Sequence, residues 1–317
     1  MDFSHIVMWL GFMLAAYSVV GNDVIQTLGT FLSSNSRRPW WVLFLFAGSI
    51  LTFTLVYGWT HYGGDVSYER LSKYPLPDPM QWYYLFPPLI LLLITRLGLP
   101  VSTTFMVLTF FNPENLNSML VKSVSGYAVA FVAAIILFVA IASIVEKRFI
   151  ENEITVREKQ IWTVLQWCST GFLWSQWLIQ DFANIYAYLP RSLSGTQLIA
   201  SIAILLAALA FIFYSKGGKI QQIVLRKTNT TDVRSATIID ATYALILLFF
   251  KNISNIPMST TWVFIGLLAG RELAIRWRLH KKLQRPELKD VVLDLGRVSL
   301  GLVVSIGLVY FIKIFTG

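Results

Sequence analysis

Long apolar runs separated by short polar stretches dominate the hydrophobicity pattern of this chain. The clearest runs occupy residues 40–59, 127–145, 198–214 and 299–315. Each approaches the roughly 20 apolar residues that a helix needs to cross a bilayer. The pattern therefore predicts a polytopic helical membrane protein.

The first half of the chain is predicted to contain three spanning helices and one hairpin. Helix A covers about 4–31, helix B about 40–60 and helix C about 119–145. Between B and C lie two segments, about 82–97 and 100–111, each too short to span. Since a proline joins them, they are predicted to form a re-entrant hairpin whose tip lines a cavity at membrane depth.

Composition agrees with a membrane location. Of the 317 residues, 56% are hydrophobic and only 14% are charged, whereas soluble domains are usually about 45–50% apolar and about 25% charged. The single cysteine, Cys168, excludes an intramolecular disulfide framework. The sequence has no HExxH, GxxxxGK(S/T) or GxGxxG motif, so it offers no support for a metalloenzyme, an ATP-driven pump subunit or a dinucleotide-binding protein.

Two short polar motifs occur twice with nearly the same offset. Pro-x-Ser-Thr-Thr stands at 100–104 and again 157 residues later at 257–261. Asp23 and Asp181, each beside amide side chains, are 158 residues apart. Because both motifs keep one offset, the sequence predicts an internal duplication.

The duplication predicts two repeats, residues 1–155 and residues 156–317. Three crossings are an odd number and a re-entrant pair adds none, so the second repeat must enter the membrane in the opposite orientation. The predicted fold class is an all-α polytopic membrane protein with two inverted-topology repeats, each with three transmembrane helices plus a re-entrant helical hairpin.

Basic residues lie mostly on one side of the membrane in this topology. That side receives 18 Lys and Arg residues, and the opposite side receives five. The positive-inside rule makes the first side cytoplasmic, which places both termini outside a cell (inner) membrane. Topology thus accounts for the net charge of +9, and no nucleic-acid partner is expected.

The hydroxyl groups of the repeated motif are candidate anion ligands. A proline in the first turn of a helix leaves free N–H groups at a helix start, whose positive partial charge can hold an anion. Two facing starts can enclose one small oxyanion. The candidate anion-binding residues are Ser102, Thr103, Thr104, Ser259, Thr260 and Thr261. Alternatively, these hydroxyls only bond back to their own helix or pack against a neighbour.

The amide-flanked aspartates are candidate residues for a coupling cation. A carboxylate at membrane depth is costly and is normally functional. Its oxygens and those of amides suit a small hard cation such as Na⁺, and a protonatable Asp can instead carry H⁺. The candidate cation-coupling residues are Asn22, Asp23, Gln26, Gln180, Asp181 and Asn184. Alternatively, each Asp caps a broken helix.

Two basic residues precede the repeated prolines. Arg96 and Lys251 are candidates for fixed positive charge near the anion. Alternatively, they extend to the membrane interface or pair with Asp240 or Asp294.

The duplicated motifs resemble those of the inorganic phosphate transporter (PiT) family, which includes sulfate permeases. The family pattern is G-A-N-D-V-A-N followed by P-V-S-T-T-H, once in each half. This chain has V-G-N-D-V-I-Q and P-V-S-T-T-F, then L-I-Q-D-F-A-N and P-M-S-T-T-W. Gln26 and Gln180 replace a family Asn, and Phe105 and Trp262 stand where the family often has His. By motif order and spacing the chain resembles a distant, compact member.

The resemblance implies cotransport of an inorganic anion with Na⁺ or H⁺, motif residues that line the two sites, and a homodimer. The predicted function is a secondary transporter, and not an enzyme, that moves phosphate by alternating access with no cofactor beyond the coupling ion. A sulfate permease and a Na⁺-independent anion exchanger of the same fold are the transport alternatives. A membrane receptor or scaffold and a lipid-headgroup enzyme are the non-transport alternatives.

Overall fold

The computed structural model describes residues 2–96, 101–141, 154–216 and 233–278, and isolated residues between 296 and 314. The side chains of residues 25, 26, 140, 141 and 275–278 lie outside this description. The helices are α1 (Phe3–Val19), α2 (Ile25–Ser34), α3 (Trp40–His61), α4 (Phe86–Arg96), α5 (Thr103–Phe111), α6 (Leu116–Ile141), α7 (Val156–Tyr186), α8 (Gly195–Tyr214), α9 (Val233–Ile253) and α10 (Thr260–Arg278).

Several of these helices are long and apolar enough to cross a membrane. In the part that the structure describes, five stretches meet this condition: Phe3–Val24, Trp40–His61, Pro113–Val139, Gly195–Tyr214 and Val233–Ile253. The chain is therefore a multi-pass helical membrane protein. Predicted helix B matches α3, and predicted helix C matches α6 as far as residue 141, where the described range ends.

Helix A is not one uninterrupted α-helix. A π-helical turn at Val20–Val24 separates α1 from α2, and it contains Asn22 and Asp23. A π turn widens the helix by one residue and is frequent at functional sites. Asn22 and Asp23 are both buried in this turn, and the Asn22 Nδ2 donates a hydrogen bond to the Asp23 Oδ1.

The first hairpin has short arms, as predicted. Helix α4 has 11 residues and α5 has nine, so neither is long enough to span. Every residue of α5 is buried, which means that protein surrounds this helix on all sides.

The second repeated proline, Pro257, does not begin a helix, so the expectation of a proline at the start of the second arm was wrong there. Helix α5 begins at Thr103 and α10 begins at Thr260, three residues after Pro257. Ser102 and Ser259 precede these two helices directly. Pro100 itself lies outside the described residues.

The second hairpin has longer arms than the first. Helix α9 has 21 residues and α10 has 19, so their lengths alone would allow either one to approach a full crossing. The re-entrant path of this hairpin, the boundary near residue 155 and the inverted orientation of the repeats stay predictions.

Helix α10 packs closely along α6. A Cβ atom on Gly266 would lie 2.5 Å from the carbonyl oxygen of Tyr127, and one on Gly270 would overlap the carbonyl oxygen of Phe131. Small residues four positions apart are typical of close contacts between membrane helices. Because backbone oxygens line this contact, no side-chain rotation can make room.

Replacing Gly270 with Ala will destabilise the protein by about 2 kcal/mol, since overpacking usually costs about 1–3 kcal/mol. The measurement is the thermal unfolding of the detergent-purified protein. The matched control is Gly195→Ala, where the added Cβ meets nothing within 4 Å and the melting temperature should not fall. Equal stability of the two variants would contradict the close helix contact.

Candidate functional site

The two serines of the repeated motif cap helices. The Ser102 Oγ accepts a hydrogen bond of 3.3 Å from the Phe105 N–H, and the Ser259 Oγ accepts one of 3.4 Å from the Trp262 N–H. These are N-cap bonds, which satisfy one of the free N–H groups at a helix start. The serine hydroxyls therefore organise the tips, and the threonines that follow supply the hydroxyls facing the aspartates.

Each aspartate accepts a hydrogen bond from the first threonine of one tip. The Thr103 Oγ1 donates to Asp23 at 2.6 Å, and the Thr260 Oγ1 donates to Asp181 at 2.7 Å. The two contacts are equivalent under the offset of 157–158 residues that relates the motifs. All four residues are buried.

The two tips also bind each other. The Thr104 Oγ1 donates to the Met258 carbonyl oxygen at 3.2 Å, and the Thr261 Oγ1 donates to the Val101 carbonyl oxygen at 3.3 Å. These contacts are again equivalent under the motif offset. The tips of the two hairpins therefore meet directly in the interior of the molecule.

Asn184 links the first tip to Asp181. Its Nδ2 lies within hydrogen-bonding distance of the Thr103 and Thr104 hydroxyls, at 3.0 and 3.1 Å, and of the Asp181 Oδ1, at 2.9 Å. The Thr104 hydroxyl also lies 3.3 Å from the same Asp181 oxygen. Asp181 thus contacts residues from both predicted repeats.

Asn22 plays a related part beside Asp23. Its Nδ2 donates to the Asp23 Oδ1 at 2.7 Å and to the Val101 carbonyl oxygen at 2.8 Å. Asp23 lies in the π turn and Asp181 lies within the continuous α7. Neither aspartate caps a broken helix.

The remaining candidates fall into three groups. Gln180 is buried and donates to the Leu247 carbonyl oxygen at 3.1 Å, while the Gln26 side chain lies outside the described residues. Arg96 is exposed at the end of α4, and Lys251 is partly buried. Neither pairs with Asp240, whose carboxylate accepts from Thr30 and Thr170 instead; Asp294 is outside the described range.

Three further residues near the tips were missed by sequence reasoning. The Tyr243 hydroxyl donates to the Thr260 carbonyl oxygen at 2.9 Å. The Lys122 ammonium donates to the Ser254 and Ile256 carbonyl oxygens at 2.7 and 2.6 Å, just before the second tip. Arg70, from the loop after α3, is only 2% exposed. In the sequence, Lys122 stands in a helical stretch and Arg70 in a polar one, and no neighbouring residue indicates that either side chain is buried.

The site is a compact set of polar groups enclosed by helices. The N–H groups of Thr103, Thr104, Thr260 and Thr261 belong to the first turns of α5 and α10, where an α-helix supplies no internal acceptor. These N–H groups carry positive partial charge, and the two carboxylates beside them carry the opposite charge. The arrangement can therefore hold an anion and a cation next to each other.

The structure defines the class of protein. It is a multi-pass helical membrane protein in which two helix N-termini meet at buried aspartates. No protein-family model and no curated protein matches the chain. Among solved structures, the chain is similar to "The sodium-dependent phosphate transporter", with a TM-score of 0.63 and 16% sequence identity. The match covers 99% of this chain and 100% of that one. The protein therefore has the fold of that transporter, which confirms the predicted all-α polytopic membrane fold, while the inverted orientation of the repeats stays a prediction.

Proposed function

We propose that the protein is a secondary transporter of a small inorganic oxyanion, with phosphate as the first candidate and sulfate as the second. The observation that carries the proposal is the meeting of two threonine-rich helix starts at Asp23 and Asp181. The fold shared with a sodium-dependent phosphate transporter supports it. The predicted location is a cell membrane, with both termini outside.

The anion would be bound by the two tips. Free N–H groups at a helix start form a site for a phosphate-like group, because they point along the positive end of the helix dipole. The hydroxyls of Thr103, Thr104, Thr260 and Thr261 add donors that can turn toward an anion. In the present arrangement the hydroxyls of Thr103 and Thr260 donate to a carboxylate, so an anion would compete with Asp23 and Asp181 for them.

This competition is the physical reason to expect a coupling ion. Two neighbouring carboxylates repel an incoming anion, and the repulsion is strong in a buried site. Na⁺ or H⁺ bound at Asp23 and Asp181 would remove that repulsion and release the threonine hydroxyls. Anion and cation would then bind together, which is the requirement for symport.

Two buried oxygen atoms favour Na⁺ as the coupling ion. The Gln180 Oε1 and the Asn184 Oδ1 have no hydrogen-bond partner in the part of the chain that the structure describes. Buried polar atoms normally have a partner, and amide oxygens beside carboxylates are suitable ligands for a hard cation. Asn22, Gln26 and the two aspartates complete the proposed cation-coupling set.

The test is the uptake of labelled phosphate, and separately of labelled sulfate, into proteoliposomes that contain the purified full chain. With an inward Na⁺ gradient, phosphate uptake should be about tenfold faster than without it, within the roughly 5–150-fold range typical of coupled sites. Uptake that is independent of Na⁺ would replace Na⁺ coupling by H⁺ coupling or exchange. Uptake of neither anion would overturn the proposed function.

A Na⁺-independent carrier is the second candidate, because the structure buries a cation near the site. The positive charge of Arg70 interacts with Asp181, so it can offset part of the carboxylate charge without Na⁺. The same uptake experiment separates the two candidates.

A further inference from the structure

Arg70 is a buried cation whose guanidinium lacks partners. The side chain is 2% exposed, and its Nε and Nη1 have no hydrogen-bond partner among the described residues. Burial lowers the pKa of Arg70 to about 10, so the group still carries its charge at neutral pH. A buried charge is normally paired, and an anion would supply the missing partner.

The backbone before Arg70 is held in an unusual conformation. Tyr68 and Glu69 have φ values of 57° and 61°, in a region that costs free energy for residues other than glycine. The Asp65 carboxylate fixes this turn by accepting from the Ser67 and Glu69 N–H groups at 2.6 and 2.7 Å. Such strain persists where the surrounding structure enforces it, and buried Arg70 follows this turn directly.

A small cavity lies between this loop and the second tip. Its volume is about 120 Å³, several times the roughly 30 Å³ that one water takes up in the liquid. Exposed Ser72, Lys73 and Asn255 line it together with buried Arg70 and Pro257. The lining thus joins exposed residues to Pro257, which stands three residues before Thr260 of the threonine-rich tip.

Basic residues line this cavity and hold the turn beside it. Lys122 is bound to the turn that lines it, through the carbonyl oxygens of Ser254 and Ile256. The charge of Arg70 interacts with Lys122, with Lys251 and, in the opposite sense, with Asp181. Arg70 and Lys73 are the charged residues in the cavity lining, and their positive charge attracts anions.

We propose that this cavity is an entry subsite for a small tetrahedral oxyanion, on the predicted outer face of the protein. Arg70 is the binding group, and Lys122 is a positioning residue that holds the turn in front of the second tip. The subsite rests on the proposed function, because the anion would pass from it to the threonine hydroxyls. It differs from the central site in having a permanent cation and no carboxylate in its lining.

Charge-selective thiol labelling tests the subsite without requiring transport. The exposed Cys168 is first replaced by Ala, and Asn255→Cys then places a thiol at the cavity mouth. Labelling rates of the purified full chain are compared for an anionic and a cationic methanethiosulfonate reagent. The matched control is Asn117→Cys, at another exposed asparagine on the predicted outer face.

The thiol at position 255 should be labelled faster by the anionic reagent than by the cationic one, and phosphate or sulfate should slow this labelling. Arg70→Gln should reduce this preference about tenfold, since focused fields typically change encounter rates by about 10–1,000-fold. Arg70→Lys should keep most of the difference between the two labelling rates. The labelling rates of the thiol at position 117 should be the same with either substitution of Arg70. An unaltered preference in Arg70→Gln, or no protection by either anion, would overturn the subsite.

Uptake measurements are the second test of the subsite. Arg70→Gln should raise the KM for labelled phosphate about tenfold with little change in the maximal rate, whereas Arg37→Gln, at an exposed position, should leave both unchanged. If Arg70→Gln does not fold, Lys73→Glu at the exposed rim should raise the KM severalfold, and an unchanged KM would count against the subsite.

The labelling and uptake experiments together distinguish a failure of the subsite from a failure of the proposed function. Anion protection at position 255 without uptake by the unmodified protein would retain the subsite and reject the transporter. Normal uptake by Arg70→Gln together with unprotected labelling would retain the transporter and reject the subsite.

Discussion

Replacing Asp181 with Asn will reduce phosphate uptake by the reconstituted protein about a hundredfold or more. The carboxylate accepts hydrogen bonds from Thr260, Thr104 and Asn184, and a hydrogen bond to a charged group is worth about 1.5–3 kcal/mol. Asn can keep hydrogen bonds of this kind but not the negative charge that would bind the coupling cation, and losing the charged part of two such bonds corresponds to about two powers of ten. Initial rates in proteoliposomes at saturating Na⁺ measure the effect.

Asp23→Asn should also impair uptake, but less than Asp181→Asn. Among the described contacts Asp23 accepts from Thr103 and Asn22, which belong to the same predicted repeat, whereas Asp181 contacts both repeats. The matched control is Asp240→Asn, another buried carboxylate that binds two threonines, Thr30 and Thr170, away from the tips. Its uptake should remain within about threefold of normal, since an amide of the same size can keep both hydrogen bonds. Equal losses in all three variants would show that any buried carboxylate is required, and the site assignment would be wrong.

Removing one threonine hydroxyl from either tip should weaken anion uptake about tenfold. Val has nearly the shape of Thr but cannot donate, so Thr103→Val and Thr260→Val each remove one donor from the proposed anion site, worth about 1–2 kcal/mol. Because the two residues occupy equivalent places, their effects on the KM for phosphate should be similar.

Thr109→Val is the control for these variants. Thr109 is buried in the same helix as Thr103, and its hydroxyl has no partner in the described part of the chain. Its loss should therefore leave uptake unchanged and cost no stability. A similar rise in KM for Thr109→Val would mean that the tips act through helix packing and not through their hydroxyls.

The main helices could be predicted from the sequence because their signals are local. Helix B was expected at 40–60 and lies at Trp40–His61, since an uninterrupted apolar run ends in polar residues on both sides. The repeated motifs identified residues that the structure brings together, because the two copies of each motif keep nearly the same offset, although the contacts between threonine and aspartate were not themselves predicted. The contacts of Thr103 with Asp23 and of Thr260 with Asp181 follow that pattern.

Other features depend on tertiary structure and could not be predicted in this way. A π turn has no sequence composition of its own, so the widening at Asn22 and Asp23 was not predicted. A serine before a helix is equally suited to cap it or to bind a ligand, and only the geometry assigns Ser102 to the cap. The burial of Arg70 arises from a loop that folds over the second tip, whereas a charged residue in a polar loop is expected to be exposed.

The close contact between α6 and α10 determines which parts of the molecule can move independently. Helix α6 belongs to the first predicted repeat and α10 to the second, yet the glycine contacts leave no room for one to slide past the other. Lys122 of α6 also holds the turn before the second tip. On the other side, Leu308 from the last apolar run packs against Phe110 of α5. In an alternating-access cycle α6 and the α10 arm of the second hairpin would therefore move as one unit that joins the two predicted repeats, and the hinges would lie within the repeats.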